Sequence, residues 1–169
     1  MTQKAEAAPA VYYTSANGFS WADPFDPVLL NQNYANQVAA LAPGFAFATY
    51  AQVVAAAASD GFAADATGIR LWLANQFFGG ANPGSGGPCG ASNGCDIRFA
   101  DPFGAGYHFG VIALLSGNYI TTGIIDTNTG DSTWGMGAFA YLAPEPSLSL
   151  LIGGGLMGLG YLAYRRKKA

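Results

Sequence analysis

Seventeen consecutive residues, Leu148 to Tyr164, carry no charge, and four cations, Arg165, Arg166, Lys167 and Lys168, follow at once. As a helix, at about 1.5 Å per residue, this run would be about 25 Å long. That is short for a bilayer core of ~30 Å but reaches the ~17 residues at which spans begin. Tyr161 and Tyr164 suit the membrane interface, and the basic cluster suits the cytoplasmic side. The pattern predicts a single C-terminal transmembrane helix, with residues 1–147 outside the cytoplasm. A buried C-terminal core helix is the alternative. Gly154 and Gly158 form a small-xxx-small pair, a weak signal for helix association; a loosely packed span is the plainer reading.

The remainder is sparsely charged. Of 169 residues 10% are charged, against ~25% in ordinary soluble proteins, while 51% are hydrophobic and 14% aromatic. Such a chain can bury a core. Ahead of the tail only Lys4, Arg70 and Arg98 are basic, against ten acidic residues. Without an excess of cations to neutralise phosphates, nucleic acid is excluded as a partner. The 24 glycines and nine prolines argue against a long coiled coil. One histidine and two cysteines offer little for catalysis, so no enzyme, cofactor or metal is expected.

Directly before the uncharged run stands Ala143-Pro144-Glu145-Pro146-Ser147. A Pro-Glu-Pro element, a Gly-rich apolar run and a terminal Arg/Lys cluster, in that order, resemble the PEP-CTERM sorting domain, a signal also known from ice-binding proteins. The resemblance covers about residues 143–168. It implies export from a Gram-negative cell that makes extracellular polysaccharide, and recognition by exosortase, a membrane-embedded cysteine transpeptidase-like enzyme. Pro144, Glu145 and Pro146 match the recognition element, and Arg165 and Arg166 match the start of the basic tail completed by Lys167 and Lys168. Pro144 and Pro146 also restrict φ and disfavour helix before them, so the segment is expected to be extended and open to a protease.

An exported chain needs a leader, and Met1-Thr2-Gln3-Lys4-Ala5-Glu6-Ala7-Ala8-Pro9-Ala10 has no apolar stretch of the usual 7–15 residues. The true start is therefore expected upstream of Met1.

Between these ends, Tyr12-Tyr13 and Phe19/Trp21 flank the turn signal Ser15-Ala16-Asn17-Gly18. Tyr34, Val38 and Leu41 give an amphipathic helix over Asn33–Leu41, stopped by Pro43-Gly44. Phe45 and Phe47 alternate with Ala46 and Ala48 as a short strand, and Thr49 can N-cap a helix over Tyr50–Ala58. Ile69–Phe78 reads as a buried helix and residues 79–95 as a polar, Gly-rich loop. Three β-like runs follow, Tyr107–Leu115, Asn118–Ile125 and Thr133–Leu142. Ala22-Asp23-Pro24-Phe25 recurs as Ala100-Asp101-Pro102-Phe103, which reads as turn chemistry.

Gly44-Phe45-Ala46-Phe47-Ala48-Thr49-Tyr50-Ala51-Gln52-Val53 resembles a G-(Y/W)-R-x-A-T-x-x-E-V stretch in the exported part of many PEP-CTERM proteins. A related strand–Thr–helix signature occurs in C-type-lectin-like domains. Ala46 and Gln52 stand where that pattern has Arg and Glu, so both charged anchors are missing.

The candidate chemistry is thin. Cys89 and Cys95 lie within the Gly-rich loop, and outside the cytoplasm a disulfide is the expected outcome. Free thiols or a metal site are the alternatives, and the C-x5-C spacing is not that of a zinc finger. His108, between Tyr107 and Phe109, reads as structural; a Ser–His–carboxylate set is the alternative, without a G-x-S-x-G elbow. Asp126, Asn128, Gly130 and Asp131 have calcium-loop spacing, yet Gly130 and Gly137 stand where an EF-hand needs acids, so a hairpin turn is preferred. Trp21, Trp72 and Trp134 are read as core before sugar platforms.

The sequence thus predicts an α+β fold, with N-terminal helices, a C-terminal antiparallel β-meander and then the transmembrane helix. Residues 1–10 would be a leader remnant or unstructured start, 11–142 the exported domain and 143–169 the sorting domain. The expected role is a non-catalytic cell-envelope or matrix protein, membrane-held and then released to the surface or medium. Its expected partners are exosortase, the lipid bilayer and extracellular polysaccharide. The alternative is a carbohydrate- or ice-binding module.

Overall fold

The computed structural model describes residues 9–78, 95–113, 119–130 and 135–142. Its helices begin where the sequence supplies caps. Asn33 caps α1 (Tyr34–Ala40) through its side chain, which accepts from the Asn36 N–H. Thr49 and Gln52 form a reciprocal capping box at the start of α2 (Tyr50–Ser59). Asp101, far off in sequence, adds a carboxylate that accepts from the Tyr50 N–H at 2.5 Å. A negative charge there is favoured by the helix dipole. Asp65 caps α3 (Ala66–Phe77).

Eight strands build two four-stranded sheets among the described residues. Sheet 1 runs β1 (Val11–Thr14), β2 (Ser20–Ala22), β8 (Ala140–Leu142), β3 (Phe45–Phe47), every neighbour antiparallel. Sheet 2 runs β6 (Tyr119–Ile125), β5 (Tyr107–Ala113), β4 (Cys95–Gly104), β7 (Gly135–Ala138). Its β4–β7 pair is parallel and the others antiparallel. Phe139 joins the sheets. Its N–H donates to the Arg98 carbonyl, continuing β7 along β4, and its own carbonyl accepts from the Ala48 N–H beside β3. The Ala100 N–H donates to the Ala48 carbonyl and closes the junction. At the α1–β3 turn Gly44 has φ +90°, a conformation that L side chains rarely adopt.

The core lies between the sheets and the α2/α3 pair. Trp21, Trp72, Phe99 and Phe139 are fully buried, with Val53, Ile69, Leu73 and Ile97 around them. Trp21 meets Trp72 edge-on at 5.3 Å, and Phe99 stacks on Phe139 at 5.1 Å. Such contacts add about 0.5–1.5 kcal/mol each beyond the burial itself. Asp60 clasps the outside of this layer. Its carboxylate accepts from Tyr13 Oη on β1, Trp72 Nε1 on α3 and the Ala16 N–H.

Two features of the sequence-based plan need correction. The helices do not come first: β1 and β2 precede them and β3 separates α1 from α2. The antiparallel meander that follows them is β4–β5–β6, and β7 joins β4 in parallel instead of continuing beside β6. Local alternation reports a strand but not its neighbour, and this pairing is non-local. The strand β4 was also unforeseen, because Asp101-Pro102 reads as a turn. Pro102 stands opposite His108 with register shifts on either side of it, an irregular stretch of ladder of the kind that tolerates a residue without an N–H. Asp23-Pro24 does form the expected turn, with the Phe25 N–H on Asp23 Oδ1. Among the described residues no helix is long and apolar enough to cross a membrane. The run Leu148–Tyr164, expected to do so, lies outside them.

Candidate functional site

On β4 the side chains alternate. Cys95, Ile97 and Phe99 enter the core, and Arg98 turns to the opposite face, yet it too is fully buried. A buried guanidinium must have its donors met. Nη1 donates to the Gln32 carbonyl at 3.0 Å and to Gln37 Oε1 at 2.8 Å. Nη2 donates to the carbonyls of Ile125 and Asn128, at 3.0 and 2.7 Å, with that of Asp126 at 3.5 Å. Nε has no partner among the described residues. Burial lowers the Arg98 pKa, and Asp126, Asp96 and Tyr34 pull it back up. No carboxylate oxygen touches the guanidinium among the described residues; neutral carbonyl dipoles hold it.

Gln37 is the second part of the site. The spacing of Tyr34, Val38 and Leu41 predicts Val38 on the inner face of α1, but Val38 is 46% exposed and Gln37 is buried. Arg98 is the reason: Gln37 accepts from it and passes its own Nε2 to the Leu29 carbonyl. Asn31, at φ 56°, exchanges hydrogen bonds with Met136 and pins the preceding loop to β7.

Beside this cluster His108 Nδ1 lies 2.7 Å from Asp126 Oδ1. The Tyr34 ring stacks on the imidazole at 3.7 Å and 21°, and its N–H donates to the Asp126 carbonyl. A histidine oriented by a carboxylate is two-thirds of a hydrolytic triad. Among the described residues no hydroxyl or thiol is hydrogen-bonded to its other nitrogen. His108 locks β5 to the turn after β6.

The calcium-like spacing of residues 126–131 has another use. The Asp126 carboxylate is turned to His108, and the Asp126 and Asn128 carbonyls face Arg98. The loop wraps a cation that belongs to the chain itself. No group of three His, Cys, Asp or Glu side chains converges among the described residues; Asp131 lies outside them.

Cys95 is buried and disulfide-bonded; Cys89 lies outside the described residues. So do Pro144, Glu145, Pro146, Arg165, Arg166, Lys167, Lys168 and Trp134. Trp21 and Trp72 are in the core, as expected. The exposed rings are others: Tyr12 at 56%, Phe103 at 57% and Tyr107 at 39%. Arg98, the organising residue, was missed, although an arginine between Ile97 and Phe99, in a chain with only three basic residues before its tail, was its signal. The chain matches no protein-family model, no curated protein and no solved structure.

Proposed function

We propose that the chain is an exported cell-envelope or extracellular-matrix protein, delivered by the segment after Leu142 and processed by an exosortase. The observation that carries this is the ordered triple of Pro144-Glu145-Pro146, the uncharged Leu148–Tyr164 run and the Arg165–Lys168 cluster. The position of the last described strand supports it. β8 ends at Leu142, so cleavage near the Pro-Glu-Pro element would leave both sheets whole. The disulfide at Cys95 fits an oxidising compartment. The basic cluster would stay cytoplasmic and the folded part would face outward.

The test replaces Pro144, Glu145 and Pro146 with alanine and follows a tag inserted near Ser85, in hosts with and without exosortase. The variant should accumulate at full length in the membrane fraction, and the parent should be released only where exosortase is present. Release of the variant at the parent's rate, or release without exosortase, overturns the proposal.

One observation favours a second function, binding of polysaccharide. Phe103 is exposed and its ring lies over Gly123 and edge-on to Phe109 at 5.3 Å, a fixed aromatic surface. Phe103→Ala should then abolish retention on a glycan array; unchanged retention, or none by the parent, removes this reading.

A further inference from the structure

In sheet 1, β1 runs antiparallel to β2 and β2 antiparallel to β8, so β1 and β8 point the same way. The register fixes the ends. Thr14 pairs with Ser20 and Ser20 with Leu142, while Val11 pairs with Ala22. The backbone therefore enters β1 at one end of the sheet and leaves β8 at the other.

β8 is also bonded on both sides, to Ser20 and Trp21 of β2 and to Phe45, Ala46 and Phe47 of β3. The same stretch continues upstream through Phe139 into β7, paired with β4. Side chains key it in place. Tyr141 lies 5.7 Å from Trp21 and 5.0 Å from Phe19 between ring centroids, and its hydroxyl accepts from Gln52 Nε2 at 2.8 Å.

We propose that sheet 1 is a mechanical clamp, which carries load between the backbone beyond Leu142 and the backbone before Val11. Inter-strand hydrogen bonds in antiparallel pairs lie across the strand axes. A pull along those axes from opposite ends strains every bond at once, and β8 cannot slide without also freeing Tyr141. A pull from a single end opens the bonds one after another. The clamp's use rests on the proposed membrane hold through the tail, in the interval before processing releases the chain; the directional resistance does not.

The test is single-molecule force spectroscopy on the full chain in detergent, with ligation tags at two pairs of points. One pair lies before Val11 and after Leu142. The other lies in the Asn17-Gly18 turn and after Leu142, both at the same end of the sheet. At equal loading rate the first geometry should unfold at a force at least about two-fold higher, because forced unfolding reports the barrier along the pulled direction. Tyr141→Phe should lower the force in the first geometry and leave the second unchanged. Equal denaturation midpoints show that the tags leave the fold intact; if the turn insertion lowers the midpoint, a tag in the Ala42–Gly44 turn replaces it. Equal forces in the two geometries, or a weaker first geometry, overturn the clamp. Neither result bears on whether exosortase processes the tail.

Discussion

The carbonyl of Asn128 accepts a 2.7 Å hydrogen bond from the Arg98 guanidinium, and the two residues belong to elements that meet only in the folded chain. With the Ile125, Asp126 and Gln32 carbonyls and Gln37, this oxygen makes a shell of the kind that loops offer to metal ions. Here the cation is covalently attached to β4.

Removing that cation should therefore strand its acceptors. Arg98→Met leaves several carbonyls and the Gln37 amide buried without a donor. A loss of about 3–5 kcal/mol is expected, because several buried acceptors lose their donor together, at about 1–3 kcal/mol for each one left unsatisfied. Arg98→Lys keeps the charge but loses the planar fork, and should recover less than half. Urea titration of the three proteins is the measurement; a Met variant as stable as the parent would refute the shell's importance.

Asp96, two residues earlier on β4, gives a pH signature. Burial pushes its carboxyl up to about 6, against the pull of Arg98, from 3.8. Between those values the folded chain keeps a proton that the unfolded chain has released. Stability should thus fall as pH rises from about 4 to about 6, and stay level above. Asp96→Asn should match the parent near pH 4 and exceed it by about 2 kcal/mol at pH 7. Parallel stability–pH curves for the two would count against this.

The clasp at Asp60 can be read spectroscopically. Burial, then the hydrogen bond and charge of Asp60, push the Tyr13 phenol up to about 12. Asp60→Asn should bring one tyrosinate transition down toward 10.0, seen by ultraviolet absorbance. Asp60→Ala should in addition cost about 2–3 kcal/mol, because Trp72 Nε1 loses its acceptor in the core. An unmoved tyrosine titration would show that Asp60 does not govern Tyr13.

Two glycines should respond in opposite ways. A Cβ on Gly68, in α3, would stand 1.7 Å from the Ala63 carbonyl oxygen, which is backbone and cannot swing aside. Gly68→Ala should therefore cost about 2 kcal/mol or more, despite the ~1 kcal/mol that alanine usually gains in a helix. Gly104 has nothing within 4 Å, and Gly104→Ala should be neutral or stabilising by about 0.5 kcal/mol. Thermal melts of both decide; equal shifts would contradict the geometry.

What could be read in the sequence was local. Thr49 announced its helix because capping is chemistry between residues three apart, and the box with Gln52 formed although the resembling pattern has Glu there. The hairpin around Ser15–Gly18 and the burial of Trp21 and Trp72 followed from turn residues and side-chain size. The rest depended on partners distant in sequence. Asp101 looks like half of an Asp-Pro turn until α2 offers it the Tyr50 N–H. Gln37 looks like a solvent residue until Arg98 needs an acceptor. His108 and Asp126 are ordinary separately, and only the β5–β6 register brings them to 2.7 Å.

The junction at Phe139 also sets a timetable. β8 is the last described strand in chain order, yet it fills an inner position between β2 and β3, and β7 just before it completes sheet 2. Sheet 1 cannot close on what has already emerged during synthesis or passage through a translocation channel, and sheet 2 lacks its parallel edge strand until β7 follows. Contacts of such long sequence separation form slowly, after their loop entropy has been met. In a chain threaded outward in sequence order, β2 and β3 thus stay unbridged until Leu142 appears, and the Pro-Glu-Pro element follows it immediately. Folding and tail processing then compete for the same moment, so an exosortase on the proposed route would meet a domain that has only just become able to close.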